Sequence, residues 1–390
     1  MRGPGDPDLS GLQSDEGWLY ASSLPVGAGD PGRFHALFGR DSLITSLQLL
    51  PARPDIVRAT LRALARRQGR VANPVTLEEP GKIGHEFRPE PPRTLLHVGW
   101  PYHEGEFNYF ATADATSWFL IVLAALGDIA LCRELEPAWR AAGDWLAREL
   151  DRGGGLVRHG PSAVPGGLVQ QGWRDSHDPH DPSGGGILHA DGRRPAARLA
   201  DADTQAVAYA ALRALATLDP GADWDSRAGE FRSGVSAAFG PELMALEPDG
   251  AEVLGAGSQL GWLLWAGALD RAPAALAAER LCRPDVLTEF GLRTLSSSAQ
   301  AFDPHAYHRG SIWPFDSWLG WGGLRASGRE AEAERIRAGV LAALDRLGDA
   351  PELYAVSRAG KLEPIALANH RQAWTVGARW ALEHRWDGRL

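Results

Sequence analysis

Apolar residues recur at i, i+3, i+4 and i+7 through most of the chain, the period of a helix with one face turned to a core. The spacing predicts helices over Asp41–Leu50, Ile56–Gln68, Ala113–Ala130, Glu134–Glu149, Asp203–Thr217 and Trp224–Phe239. It continues over Ser258–Leu269, Pro273–Leu281, Ser311–Ala326, Arg329–Leu347 and Arg371–Arg385, eleven segments in all. Clean apolar/polar alternation with β-branched enrichment between turn residues is lacking, so any sheet is expected to be short and confined to loops.

Long connections alternate with short ones such as Gly127–Arg133 and Ala326–Glu330, the rhythm of stacked antiparallel helix hairpins. An open solenoid of such hairpins would repeat itself in sequence at a period of roughly 30 to 50 residues. No repeat is found, and the long connections carry unrelated polar motifs instead. The expected fold is therefore all-α: a closed (α/α)6 toroid with its loops gathered at one mouth, a single domain over 1–390 with residues 1–30 a loop-rich leader. Eleven helices are one short of twelve, so one helix is missed or the Gly/Pro-rich leader replaces it. The connections Gly69–Tyr109, with GKIGHEFR and WPYHEGEF, and Gly153–Arg198, with QGWRDSHDPHDP, are too long for plain turns and are expected to be functional loops.

Composition narrows the class. With 44% hydrophobic and 23% charged residues the chain is a packed globular protein rather than a disordered one. A net charge of −9 argues against a phosphate-backbone partner, because nucleic-acid binders gather Lys and Arg on one face. The segment MRGPGDPDLSG has no apolar run of the secretory kind, and the longest apolar stretch, Trp118–Cys132, is broken by Gly127 and Asp128 and is too short to cross a bilayer. No membrane association and a cytoplasmic location are expected. Cys132 and Cys282 stand alone, forming neither a CxxC pair nor a zinc knuckle, and are expected to be inert core thiols. HExxH and HxxxH spacings are lacking as well, and no Walker loop or GxGxxG precedes a helix after a strand, so no catalytic metal and no cofactor are expected. Fifteen Trp against six Tyr suits a carbohydrate cleft, where an indole face packs on the apolar face of a pyranose.

Two loops carry candidate chemistry. In GWRDSHD (Gly172–Asp178) a carboxyl beside a Trp is partly desolvated, which raises its pKa and suits Asp175 to donate a proton; the plainer alternative is that Asp175, Asp178 and Asp181 terminate turns. In PELY (Pro351–Tyr354), Glu352 follows a proline that stiffens the backbone, as a base that must hold a water requires. Its alternatives are a solvated loop Glu or a helix cap, and Glu363 is its nearest rival. FGRDS (Phe38–Ser42) precedes an apolar helix: either Asp41 simply stabilises the helix N-terminus, or Arg40 and Asp41 together grip adjacent sugar hydroxyls. GKIGHEFR sets Lys82, His85, Glu86 and Arg88 within one short stretch, a pocket wall or an exposed loop. In YHRGSIWPFDSW, His308 and Trp313 line a sugar subsite, or the aromatics are core and Asp316 a cap.

In order along the chain, FGRDS, GKIGHEFR, YFATADAT (Tyr109–Thr116), GWRDSHD, DADTQAVAYAAL, GLRTLSS (Gly291–Ser297), YHRGSIWPFDS, PELY and RQAW resemble the amylo-α-1,6-glucosidase family, the glucosidase half of glycogen debranching enzymes, related to glucoamylase-like (α/α)6 hydrolases. The resemblance implies an inverting hydrolase of a terminal α-glucosidic bond. In it Asp175 is the general acid, Glu352 the general base, and Arg40 and Asp41 clasp the non-reducing-end glucose. Room for the attacking water would set the two carboxyls roughly 6.5–9.5 Å apart. Phe38, Glu86, Arg88, Asp114, Trp173, Arg174, His308, Trp313, Gln372 and Trp374 complete the candidate substrate-binding set. Phe315 and Ser317 stand where relatives often have His and Asn, which points toward a changed subsite. The partner expected is a carbohydrate: an α-glucan oligosaccharide or, alternatively, a small α-glycoside such as glucosylglycerate, mannosylglycerate or trehalose. A sugar epimerase and a non-catalytic carbohydrate-binding protein on the same toroid are the readings from other classes.

Overall fold

The chain was analysed as a computed structural model, which describes residues 5–24, 34–89, 106–161, 167–175 and 186–389. Among these residues run twelve helices: α1 (Gly39–Leu49), α2 (Pro54–Arg66), α3 (Ala115–Leu126), α4 (Ile129–Glu134), α5 (Glu136–Arg152), α6 (Ala202–Leu218), α7 (Trp224–Ala238), α8 (Gln259–Ala266), α9 (Arg271–Leu281), α10 (Pro314–Ala326), α11 (Glu330–Leu347) and α12 (Ala373–Glu383). The periodicity finds every helix but α4, which it fuses into Ala113–Ala130. Gly127 explains the break: at φ 62° it takes the left-handed turn that ends α3, and the Asp128 carboxylate then caps a new helix by accepting from the Leu131 N–H.

The helices form an (α/α)6 toroid. Going round the ring, α1, α3, α6, α8, α10 and α12 each pack on the next, and α12 returns to α1. Helices α2, α5, α7, α9 and α11 back this ring from outside, each against its preceding inner helix. On the outer side of α12 lies the leader, tied down where Gly5 O accepts from Trp380 Nε1 at 2.6 Å and Arg371 pairs with Asp8 at 3.0 Å. Inner helices α3 and α8 are apolar all round because they are covered on every side, whereas α2 keeps a polar outer face.

Sheets are small and sit in the connections. Strands β1 (Leu37–Phe38), β2 (Glu86–Arg88) and β3 (Phe107–Tyr109) form one antiparallel sheet; β4 (Ala200–Asp201), β5 (Leu243–Leu246) and β6 (Glu252–Leu254) form a second. Two-stranded ribbons join β7 (Leu287–Thr288) to β8 (Gly291–Leu292) and β9 (Tyr354–Val356) to β10 (Leu362–Pro364). In the first sheet Glu86 sits opposite both Phe38 and Tyr109, which lays GKIGHEFR beside FGRDS.

Part of the Trp surplus goes into the ring. Trp118, Trp262, Trp265, Trp318 and Trp321 lie on inner helices and are buried, because a ring of six helices encloses more space than Leu and Ala can fill. Three of their N–H groups find acceptors: Trp262 donates to Asp316 Oδ1 at 2.6 Å, Trp265 to Asp387 O at 2.8 Å and Trp318 to Trp386 O at 2.7 Å. Trp386 itself donates to Leu47 O at 2.8 Å, so residues after α12 floor the ring at its helix C-terminal end. Cys132 and Cys282 are unpaired and half-buried, with burial pushing both thiols up and away from reactivity. Among the described residues no helix is long and apolar enough to cross a membrane.

Backbones approach closely between α8 and α10, where a Cβ on Gly261 would meet Gly320 Cα at 2.6 Å. Gly261→Ala must therefore push two inner helices apart; it is expected to lower stability by about 1–3 kcal/mol in chemical denaturation. An unchanged midpoint would show that the ring gives way at no penalty.

Candidate active site

All six inner helices start at the same end of the ring. The hydrogen bonds that establish this run from Arg40 at the head of α1 to Asp114, the residue before α3, and from Gln372, before α12, to Asp41 in the first turn of α1. Arg174 joins Asp203 in the first turn of α6 to Ser258 before α8, and Trp262 of α8 reaches Asp316 in the first turn of α10. Each of these turns presents unpaired N–H groups and the positive end of a helix dipole, so the end of the ring that gathers them favours carboxylates. Asp41, Asp114, Asp201, Asp203 and Asp316 all stand there.

The Asp175 carboxyl, 16% exposed, takes a 2.8 Å hydrogen bond and ion pair from Arg40 Nη1. Arg40 is itself sealed between acids: Nε donates to both Asp114 oxygens at 2.7 and 2.9 Å, and Nη2 to Gln171 O at 3.3 Å. Desolvation pushes the Asp175 carboxyl above its ordinary range, against the opposite pull of Arg40. Gln171 is fixed from beneath, because its N–H donates to His159 Nδ1 at 3.1 Å and His159 Nε2 donates to Asp201 Oδ2 at 2.6 Å. Asp201 also caps α6 through the Thr204 N–H at 2.8 Å, so the loop bearing Asp175 is clamped to that helix.

Glu352 is 1% exposed and surrounded by donors. The Tyr307 hydroxyl donates to Oε1, and the Asn369 backbone N–H and side-chain amide donate to Oε2 at 3.0 and 3.1 Å. An ionised carboxylate, which only accepts, suits this set of donors. The Asn369 amide also donates to Gln372 Oε1 at 3.2 Å, and the Gln372 amide donates to Asp41 Oδ1 at 3.2 Å. Two neighbouring residues of α1 thus reach both carboxyls, Arg40 directly to Asp175 and Asp41 through Gln372 and Asn369 to Glu352. Desolvation and the nearby charges of Asp175 and Glu352 push Asp41 up to about 8, although Arg40 opposes this.

The other predicted residues divide into a rim and a base. Glu86 and Arg88 pair on β2, Arg88 lies over the Phe38 ring at 5.8 Å, and desolvation raises Glu86 to about 7, with the Asp175 charge adding to it. Arg174 is turned inward, bound to Asp203 Oδ2 at 2.8 Å, Thr294 O at 2.9 Å and Ser258 Oγ at 2.9 Å. Trp173 stacks on Trp262 at 5.7 Å and meets His308, Trp313 and Phe315 edge-on. Burial holds His308 well below its ordinary value, so it is a neutral ring stacked on Trp313 at 5.0 Å. Trp374 stacks on Phe315 at 4.0 Å, which gives Phe315 a packing role, and its indole N–H has no partner among the described residues. Glu363, the rival to Glu352, lies apart in an exposed pair with His305 at 3.1 Å. Asp178, Asp181 and Trp100–Gly105 of WPYHEGEF lie outside the described residues.

Tyr307 and Asn369 escape the sequence reading, although Tyr307 opens a motif quoted for other reasons and Asn369 stands just before RQAW. Nothing local marks them: each is next to a His, and only the folded chain brings them to Glu352. Among the described residues no group of three or more His, Cys, Asp or Glu is arranged to hold a metal ion.

A model of the mannosylglycerate hydrolase MGH1-like glycoside hydrolase domain matches residues 115–354. The chain belongs to that family. The enzyme is therefore a glycoside hydrolase, as its motifs indicate, and the match does not extend to the debranching branch they resemble. No curated protein matches the chain. Its fold is similar to that of a GH63 mannosylglycerate hydrolase from Thermus thermophilus in complex with Tris and D-glycerate: TM-score 0.68, 16% identity, with 97% of this chain and 98% of that one covered. The same hydrolase in complex with glucose gives 0.65 and 18% over 94% and 96%, and a wild-type glycosidase gives 0.59 and 16% over 98% and 95%.

Two outcomes are expected from this frame. Tyr307→Phe removes a donor from the Glu352 carboxylate, and steady-state kinetics should show kcat reduced roughly tenfold to a hundredfold; an unchanged kcat would remove Tyr307 from the machinery. Asp316, fully buried, is raised to about 7 by desolvation, so between its ordinary range and pH 7 the folded state keeps a proton that the unfolded chain has released. Its contribution is therefore most favourable at acid pH and is lost as pH rises to about 7. Asp316→Asn keeps an acceptor for Trp262 and should flatten the loss of unfolding free energy as pH rises toward about 7, measured by denaturant titration.

Proposed function

We propose that this enzyme removes the sugar from a small α-glycoside such as glucosylglycerate or mannosylglycerate in a single inverting displacement. Asp175 protonates the glycosidic oxygen while Glu352 takes a proton from a water on the other side of the ring. The observation that carries the mechanism is the pairing of a desolvated carboxyl, Asp175, with a carboxylate ringed by donors, Glu352, both tied to the first turn of α1. An acid and a base need these opposite environments. Asp41, next to Arg40 on α1, would orient the sugar hydroxyls while Arg40 holds the acid, with Trp374 adding an N–H donor.

The family match favours a small glycoside over a branched glucan, since the family takes its description from mannosylglycerate hydrolase. The motif order supports a second reading, release of a terminal glucose from an α-1,6-linked or short α-glucan oligosaccharide in the cytoplasm. Purified enzyme tested on glucosylglycerate, mannosylglycerate, trehalose, isomaltose, panose and maltose separates the two. Asp175→Asn and Glu352→Gln are each expected to lower kcat at least ~100-fold, and NMR should show the β-anomer as first product. Full activity in both variants would overturn the site, and an α-anomer first would overturn inversion.

A further inference from the structure

Arg40 presents a paradox if Asp175 is the acid, and this inference rests on that reading. A guanidinium at 2.8 Å stabilises the ionised carboxylate, the wrong form for a proton donor. The same guanidinium is shared with Asp114, whose two oxygens both accept from Nε at 2.7 and 2.9 Å. Asp114 is almost wholly buried and both its oxygens are already engaged: Thr112 Oγ1 donates to Oδ1 at 2.8 Å and Arg40 Nε donates to both. We propose that Asp114 is a positioning residue rather than a sugar ligand, fixing Arg40 and cancelling its charge so that Arg40 orients the Asp175 carboxyl without stripping it of the proton it donates.

The geometry gives each atom a task. Nη1 fixes the direction of the Asp175 oxygen, Nε is neutralised, and Nη2 is held by Gln171 O at 3.3 Å and Thr112 Oγ1 at 3.5 Å. The charged groups facing Asp175 are Arg40 and Asp41 on α1, Asp114 before α3 and Glu86 on β2 with its partner Arg88, while Glu352 acts across Asp41. Of the acids among them, Asp114 alone is locked to the cation that touches Asp175. The negative charge of Asp114 also pushes the Asp175 carboxyl up, in the same sense as desolvation.

The test is the pH profile of kcat/KM on the preferred glycoside, alongside hydrolysis of the matching glycosyl fluoride, whose departure needs little proton donation. Asp114→Asn leaves Arg40 unopposed, so the alkaline limb should move toward acid by about one pH unit, with glycosyl fluoride turnover reduced far less than glycoside turnover. Asp114→Glu keeps the charge and should return the limb to its wild-type position. If Asp114→Asn does not fold, the pair variant Arg40→Gln/Asp114→Asn, which removes both charges together, should place the limb at or above that of wild type. An unmoved limb in Asp114→Asn, equal losses on both substrates, or an acid-shifted limb in the pair variant would each overturn the proposal. Asp175→Asn is the control: if it retains glycoside turnover, the acid assignment itself fails, and if it loses turnover while the Asp114 limb stays put, only the counterweight fails.

Discussion

Six helices in one ring, all starting at the same end, impose the constraint from which the site follows. Every helix start leaves backbone N–H groups without partners and half a positive charge, and six of them converge. Water cannot satisfy them, because the ring interior is filled with Trp and the first turns are buried. Asp201 does so for α6 through the Thr204 N–H, and the other aspartates at or next to those turns answer the positive dipole ends with their charge. Buried acids then need cations, and Arg40 and Arg174 enter as the shared partners of Asp114 with Asp175 and of Asp203.

The two arginines do different work. Arg174 is spent on the frame: its three bonds tie α6, α8 and the Gly291–Ser297 segment together beneath Trp173. Arg40 stands one layer nearer the mouth, where its last contact is a carboxyl that still meets solvent. Adjacent in sequence, Arg174 and Asp175 face opposite ways, and the Trp173 stack on Trp262 holds that turn in place. A buried charge network of this kind contributes little net stability, since desolvation offsets pairing, but it strongly penalises any arrangement that separates its members.

Much of the architecture was legible from periodicity. Inner and outer helices bury enough apolar surface to impose the 3.6-residue repeat, so most of their positions came within a few residues of the observed ends. The exception, α4, is an Asp-capped turn and a half beyond a left-handed glycine, too short for a repeat to register. The indole count points to no one place, because Trp serves both sugar faces and wide cores, and residue counts carry no address. Asp175 and Glu352 were nominated from loops whose chemistry is local: a Trp beside one, a Pro before the other.

The sequence by itself determined the helical class, the ring closure implied by unlike loops, and the short polar motifs at the helix starts, since all of these rest on neighbours along the chain. Only the tertiary structure decided that Tyr307 and Asn369 belong to Glu352, that Arg174 turns inward, and that Asp114 accepts from the Arg40 guanidinium. Those pairings join residues far apart in the chain, and a buried polar atom's partner is chosen by where the packed helices place it.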